Sequence, residues 1–195
     1  MHFGASRNLY HIEFYAVKYI EFAFGKYIEL PARQHIDYFK GVFIMSKIFA
    51  HRGFSGKYPE NTMIAFKKAV EIGVDGIELD VHLTKDNEIV IIHDEDIKRT
   101  CNGEGLVKDM TLAELKKFDA SATFKGVYGK NEIPTLREYF ELIKSTDVIT
   151  NIELKTGVFE YPTIEQRVID LVREFGLEKK IIFSSFNHFT IKRCE

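Results

Sequence analysis

The 195 residues, 45% hydrophobic and 29% charged, allow one domain with at most a short appendage and exclude a disordered or low-complexity chain. With 27 Lys and Arg against 29 Asp and Glu, the formal charge of −2 carries no basic excess for nucleic acid or an anionic membrane, and no run of 18 apolar residues predicts a spanning helix. Two cysteines, Cys101 and Cys194, are too few for a disulfide framework and leave a reducing compartment open, read here as the cytoplasm.

Residues 1–44 hold 11 of the 26 Phe and Tyr residues. From Tyr10 to Leu30, aromatic and apolar residues alternate with Glu13, Lys18, Glu21, Lys26 and Glu29, which break any signal-peptide core. Two readings stand: an amphipathic helix packed on something, or a start upstream of the native one, since MSKIFAHRGF from Met45 looks like a natural beginning. The domain division is therefore an extension of unassigned role at 1–44 and a main domain at 45–195.

Lys47–Gly53 reads as a short buried strand running into a loop. Residues 62–72 carry apolar positions at helical spacing, with Asn61 or Thr62 as N-cap and Gly73 as the stop. Gly76–Thr84 alternates: Ile77, Leu79, Val81 and Leu83 face one side, Glu78, Asp80 and His82 the other. Glu88–His93 is another strand. Residues 97–134, rich in Gly, Lys, Asp and Thr, read as a small insertion with a helical piece near 112–118. A helix is expected at 135–145 after Pro134, a strand at 148–155, a helix at 161–175 closed by Gly176, a strand at 180–186 and a helix from about His188.

Strands alternating with helices predict a mostly parallel α/β sheet. The link Lys85–Asp86–Asn87 is too short for a parallel crossover, so its flanking strands should form a hairpin. Pairing about that link puts His93 opposite Asp80 or Leu79, next to two carboxylates.

Glu78 and Asp80 share a face. Two like charges so close need a cation, a proton or an arginine between them, unless the face is solvated. Hard cations such as Mg²⁺ and Ca²⁺ favour such oxygens, and there is no Cys/His zinc spacing. Glu153 and Lys155 repeat the spacing at another strand end, either as a salt bridge or with Glu153 as a third oxygen ligand. His51-Arg52-Gly53 is either an ordinary loop or a proton-exchanging imidazole beside a phosphate-binding fork. Pro59-Glu60-Asn61-Thr62 reads by itself as a helix entry. His93 could be a structural hydrogen-bonder, but the hairpin favours a role in a site. His82 supports it at most, Cys101 is packing, and His2, His11, His35 and His188 have no partner pattern.

The series AHRGFSGKYPENT, GVDGIELDVHLTKD, IVIIHD, NIELK and FSSF, in this order across Phe49–Phe186, resembles the glycerophosphodiester phosphodiesterase family. The resemblance covers nearly all of 45–195 and none of 1–44. It implies an α/β fold, a TIM-type (β/α)₈ barrel of the phosphatidylinositol phospholipase C-like phosphodiesterase type, with the site at the carboxyl ends of the strands. It implies His51 and His93 as the acid/base pair and Arg52 and Lys155 as phosphate contacts. Glu78, Asp80 and Glu153 are implied as ligands of a divalent cation, Mg²⁺ or Ca²⁺, and Glu60 as a further ligand or a supporting group. The implied activity is metal-dependent hydrolysis of small glycerophosphodiesters to glycerol phosphate and an alcohol, in lipid and glycerol metabolism. A lysophospholipase D-like reaction and a non-catalytic fragment are the alternatives.

Eight strands take about 250 residues. Only 151 follow position 44, room for about five strands. The expectation is thus a truncated barrel without its last three strand–helix units, inactive alone and prone to associate through open strand edges. No oligomeric state follows from the sequence.

Overall fold

A computed structural model describes residues 36–39, 42–45 and 47–194. The helix expected within residues 10–30 lies outside the described residues. Strands β1 (Ile36–Phe39) and β2 (Val42–Met45) form a separate antiparallel pair.

The main sheet is built on β4 (Gly76–Leu83), which pairs in parallel with β3 (Phe49–His51) on one side and β6 (Ile149–Leu154) on the other. β7 (Ile181–Ser184) continues in parallel beyond β6. β5 (Ile89–Ile91) turns back against the end of β4, as the short link requires. Its register, Val81 with Ile91 and Leu83 with Ile89, continues through the bond from the Ile92 N–H to the Asp80 carbonyl. Of the two expected pairings, this one brings His93 level with Leu79.

Among the described residues, five helices follow in chain order: α1 (Met63–Glu71), α2 (Leu112–Leu115), α3 (Leu136–Ile143), α4 (Ile164–Phe175) and α5 (His188–Arg193). Thr62 caps α1 by accepting from the Ala65 N–H. Gly73 follows α1 at φ +75°, where the N–H of Val74 reaches back to the Ala69 carbonyl, a Schellman closure. Thr135 and Glu138 form a reciprocal capping box on α3. The expected helix at 161–175 starts three residues late because Tyr161 is drawn into the interior, 3.0 Å from His82.

Ile77, Leu79 and Val81 of β4, fully buried, face α1, α3 and α4, where Phe66, Tyr139, Phe140, Ile143, Ile164 and Val168 close the core. Each such side chain contributes roughly 1.5–3 kcal/mol by burial, which anchors the strands whose other face carries the polar groups. All eight residues of β4 are buried, so Glu78, Asp80 and His82 do not face solvent. The segment 97–134 has short 3₁₀ turns and α2, and a second apolar cluster of Val90, Ile92, Ile97, Cys101, Val107, Leu115 and Ile133 holds it to β5.

Candidate active site

Strand register sets the site in two rows. His51 lies beside Glu78 and Glu78 beside Asn151; one step on, Asp80 lies beside Glu153 and Glu153 beside Ser184. Beyond His51 the backbone turns through two left-handed residues, Arg52 at φ 56° and Gly53 at φ 76°. That conformation costs about 1–2 kcal/mol at a residue with a Cβ. It directs the Arg52 N–H at the Glu78 carbonyl, 2.9 Å, and at Glu78 Oε2, 3.0 Å. The loop closes where the Asn61 N–H meets the Arg52 carbonyl, and Asn61 Nδ2 donates to Asp80 Oδ2 at 2.9 Å.

Carboxylate oxygens of Glu78, Asp80 and Glu153 all lie within 4.8 Å of one another. Burial and the neighbouring Asp80 push the Glu78 carboxyl up to about 8. Burial raises Asp80 as well, against the opposing bond from Asn61. Asp80 Oδ1 is buried with no hydrogen-bond partner. Two carboxylates that resist ionisation, a third beside them and an unmatched buried oxygen fit a hard divalent cation bound through oxygen. Glu60 lies outside this cluster, its carboxylate held between two arginines.

Lys155 Nζ bonds Glu153 Oε1 at 2.9 Å and lies 3.8 Å from Asp80 Oδ1 and 3.3 Å from His93 Nε2. His51 Nε2 lies 3.6 Å from Glu78 Oε2. The hairpin therefore delivers His93 to the same group of residues as the β3 histidine. Both line a cleft of about 420 Å³ with Arg52, Glu78, Asn151, Glu153 and the Ser184–Phe186 segment.

Asp94 and Arg99, to which the spacing gives no role, complete the surroundings of His93. Asp94 Oδ1 lies 2.5 Å from His93 Nδ1, and Arg99 pairs with Asp94 and with Glu60. Burial favours neutral Asp94, but the bonds from Arg99 and His93 prevail and hold it near 2. An ionised Asp94 accepts from the His93 Nδ1–H, leaving Nε2 as the atom that can exchange a proton. His82 is fully buried between Tyr161 Oη, 3.0 Å from its Nδ1, and the His93 carbonyl, 3.1 Å from its Nε2. Burial pushes its pKa down to about 4, so it fixes the His93 backbone as a neutral ring. Arg99 has only its place five residues after Asp94 as a signal.

The model of the glycerophosphoryl diester phosphodiesterase family matches residues 51–195. The chain belongs to this family. A glycerophosphodiester phosphodiesterase of Caldanaerobacter subterraneus subsp. tengcongensis is 52% identical over 145 residues, covering 74% of this chain and 60% of that protein. Among solved structures, the glycerophosphodiester phosphodiesterase of Agrobacterium tumefaciens aligns with a TM-score of 0.70 at 34% identity, over 77% of this chain and 62% of that one. A phosphodiesterase of Oleispira antarctica, in complex with its product sn-glycerol-3-phosphate, aligns with a TM-score of 0.64 at 36% identity, over 75% and 60%. The chain thus spans about 60% of the length of the family members it matches. Its sheet and helices are part of a TIM-type barrel of this family, with His51 at the carboxyl end of β3, Glu153 next to that of β6, and Glu78 and Asp80 within β4.

Proposed function

We propose that this site hydrolyses small glycerophosphodiesters to glycerol phosphate and an alcohol. The observation that carries the reading is that His51, at the end of β3, and His93, in the loop after β5, line one cleft with Arg52, Glu78 and Glu153 of the acidic cluster. The family members of that name and the product complex of the Oleispira antarctica protein support it.

Glu78, Asp80 and Glu153 would hold a divalent cation, Mg²⁺ or Ca²⁺, which when bound supplies Lewis acidity at a phosphoryl oxygen. Arg52 and Lys155 offset the negative charge that grows on the phosphoryl oxygens as phosphorus is attacked. His51 takes the proton of the attacking hydroxyl, from water or from the substrate's own glycerol. His93, entering the step as an imidazolium paired with Asp94, gives its Nε2 proton to the departing alcohol oxygen as the bond from that oxygen to phosphorus breaks. A vicinal glycerol hydroxyl as attacker would give a cyclic phosphate, which water then opens. The free thiols of Cys101 and Cys194 fit a cytoplasmic setting.

The test is release of glycerol phosphate from glycerophosphocholine by the intact protein with Mg²⁺ or Ca²⁺, with lysophosphatidylcholine in parallel. Hydrolysis of the first, abolished by chelator and reduced in His51→Ala and His93→Ala, is the expected result. Turnover of lysophosphatidylcholine alone would favour the lysophospholipase D-like reaction. Unchanged rates in both histidine variants would remove the assigned roles.

A further inference from the structure

Arg99 joins two loops that the sheet itself does not connect. Its Nη1 and Nη2 bond the two oxygens of Glu60 at 2.9 and 2.7 Å, across 39 residues of sequence. Its Nε bonds Asp94 Oδ2 at 2.5 Å and its Nη2 also reaches Asp94 Oδ1 at 3.2 Å. Glu60 in turn accepts from Arg52 Nη1 at 3.1 Å, and Asp94 holds His93 Nδ1. One guanidinium thus stands between the arginine of the β3 loop and the histidine of the β5 loop.

A guanidinium has five N–H donors in a fixed plane. In Arg99 all three nitrogens are already engaged by the two carboxylates. In Arg52 the Nε lies buried with no hydrogen-bond partner, 3.5 Å from Asp80 Oδ2. The two arginines are therefore in different positions: Arg52 has an unbonded Nε facing Asp80, whereas Arg99 commits all three of its nitrogens, in four hydrogen bonds, to Glu60 and Asp94. Arg99 is absent from the residues that line the cleft.

We propose that Arg99 is a positioning residue for the reaction: through Asp94 it fixes the ring of His93, and through Glu60 it fixes the fork of Arg52. This rests on the reading of His93 as a proton-exchanging group. A lysine at 99 keeps the charge but cannot bond both carboxylates in one plane, so the charge alone does not satisfy the requirement.

A double-mutant cycle on glycerophosphocholine hydrolysis by the intact protein tests it, with thermal melts of every variant. Arg99→Ala and Asp94→Asn are each expected to lower kcat roughly 10- to 100-fold, the usual cost of losing a group that orients a functional side chain. Arg99→Ala added to Asp94→Asn should lower kcat by less than threefold more, because both act through His93. Its remaining effect should be a higher KM, shared with Glu60→Gln, through Arg52. Arg99→Lys should melt like the parent yet show the same kcat loss, which keeps the test alive if the alanine variant does not fold. Full multiplication of the two kcat losses, or a normal kcat and KM in a folded Arg99→Lys, would overturn the inference. His93→Ala is the control for the reading beneath it: near-normal turnover there would sink the histidine role itself, whereas a collapsed His93→Ala beside a normal Arg99→Lys would sink Arg99 alone.

Discussion

His93 Nδ1 and Asp94 Oδ1 are 2.5 Å apart, so two residues adjacent in the chain are also bonded to each other through their side chains. The carboxylate fixes which imidazole nitrogen faces the cleft. If that nitrogen protonates the leaving alcohol, His93→Ala should cost roughly 10²–10⁴ in turnover on an alkyl alcohol leaving group. It should cost far less on a glycerophosphodiester whose leaving group is p-nitrophenol, which departs without a proton. His51→Ala should lose activity equally on both substrates. Steady-state rates on the pair give the answer, and a uniform loss in His93→Ala would move that histidine to the attacking oxygen.

Gly53 is a position where the turn leaves no choice. It sits at φ +76°, and a Cβ there would meet the backbone and Cβ of Ala65 at 2.9 Å. Gly53→Ala therefore adds left-handed strain to a clash with α1, together about 2–5 kcal/mol. Because Arg52 is the preceding residue, the same substitution should raise KM. Chemical denaturation and a substrate titration check the two effects. A variant as stable as the parent would show that the loop has slack the geometry does not suggest.

The strands, the hairpin and the caps were legible because each rests on local chemistry. Ile77, Leu79 and Val81 alternate with Glu78 and Asp80, Lys85–Asn87 is too short to cross over, and Thr62 and Gly73 bracket one helix. The ends were less so: α4 starts late because Tyr161 makes a tertiary bond to His82 that no spacing announces. The acidic cluster was legible in part, since the i, i+2 pairs put oxygens on one face, while their closeness depends on the parallel register of β4 and β6. Arg99 was hidden because its two carboxylates come from loops that meet only in the folded chain. Glu60 read as part of a helix entry for the same reason.

His82 gives the fold an acid limit. Its pKa falls from 6.5 to about 4 because burial disfavours the charged ring. The unfolded chain binds this proton first, so the contribution is complete above about pH 6.5 and is lost as pH falls toward 4. The loss is on the order of 3 kcal/mol at one pKa unit per 1.4 kcal/mol. His82→Gln should flatten this part of the stability–pH curve, with the melting temperature at pH 4.5 closer to that at pH 7.5. If the parent melts alike at both pH values, His82 is not held neutral in the native state.

The acidic cluster should trade stability for binding. Glu78 is raised from 4.5 to about 8 by burial and by Asp80, so at neutral pH without a cation the folded state must hold a proton that the unfolded state gives up. That contribution is present below about pH 4.5 and is lost as pH rises through about 8. Glu78→Gln keeps an oxygen to accept the Arg52 N–H, removes the repulsion and offers an amide to the neighbouring carboxylates. In chelator at pH 7.5 it should therefore gain about 1–3 kcal/mol over the parent, and at pH 4.5 almost nothing. Its divalent titration should move the other way, with weaker Mg²⁺ and Ca²⁺ binding for want of a charged oxygen. Asp80→Asn and Glu153→Gln should weaken binding too. Calorimetric metal titrations beside melts at the two pH values read both sides at once. Unchanged binding in all three variants would dismiss the cation site, and a less stable Glu78→Gln at pH 7.5 in chelator would show that ionising this buried carboxyl beside Asp80 costs the fold nothing.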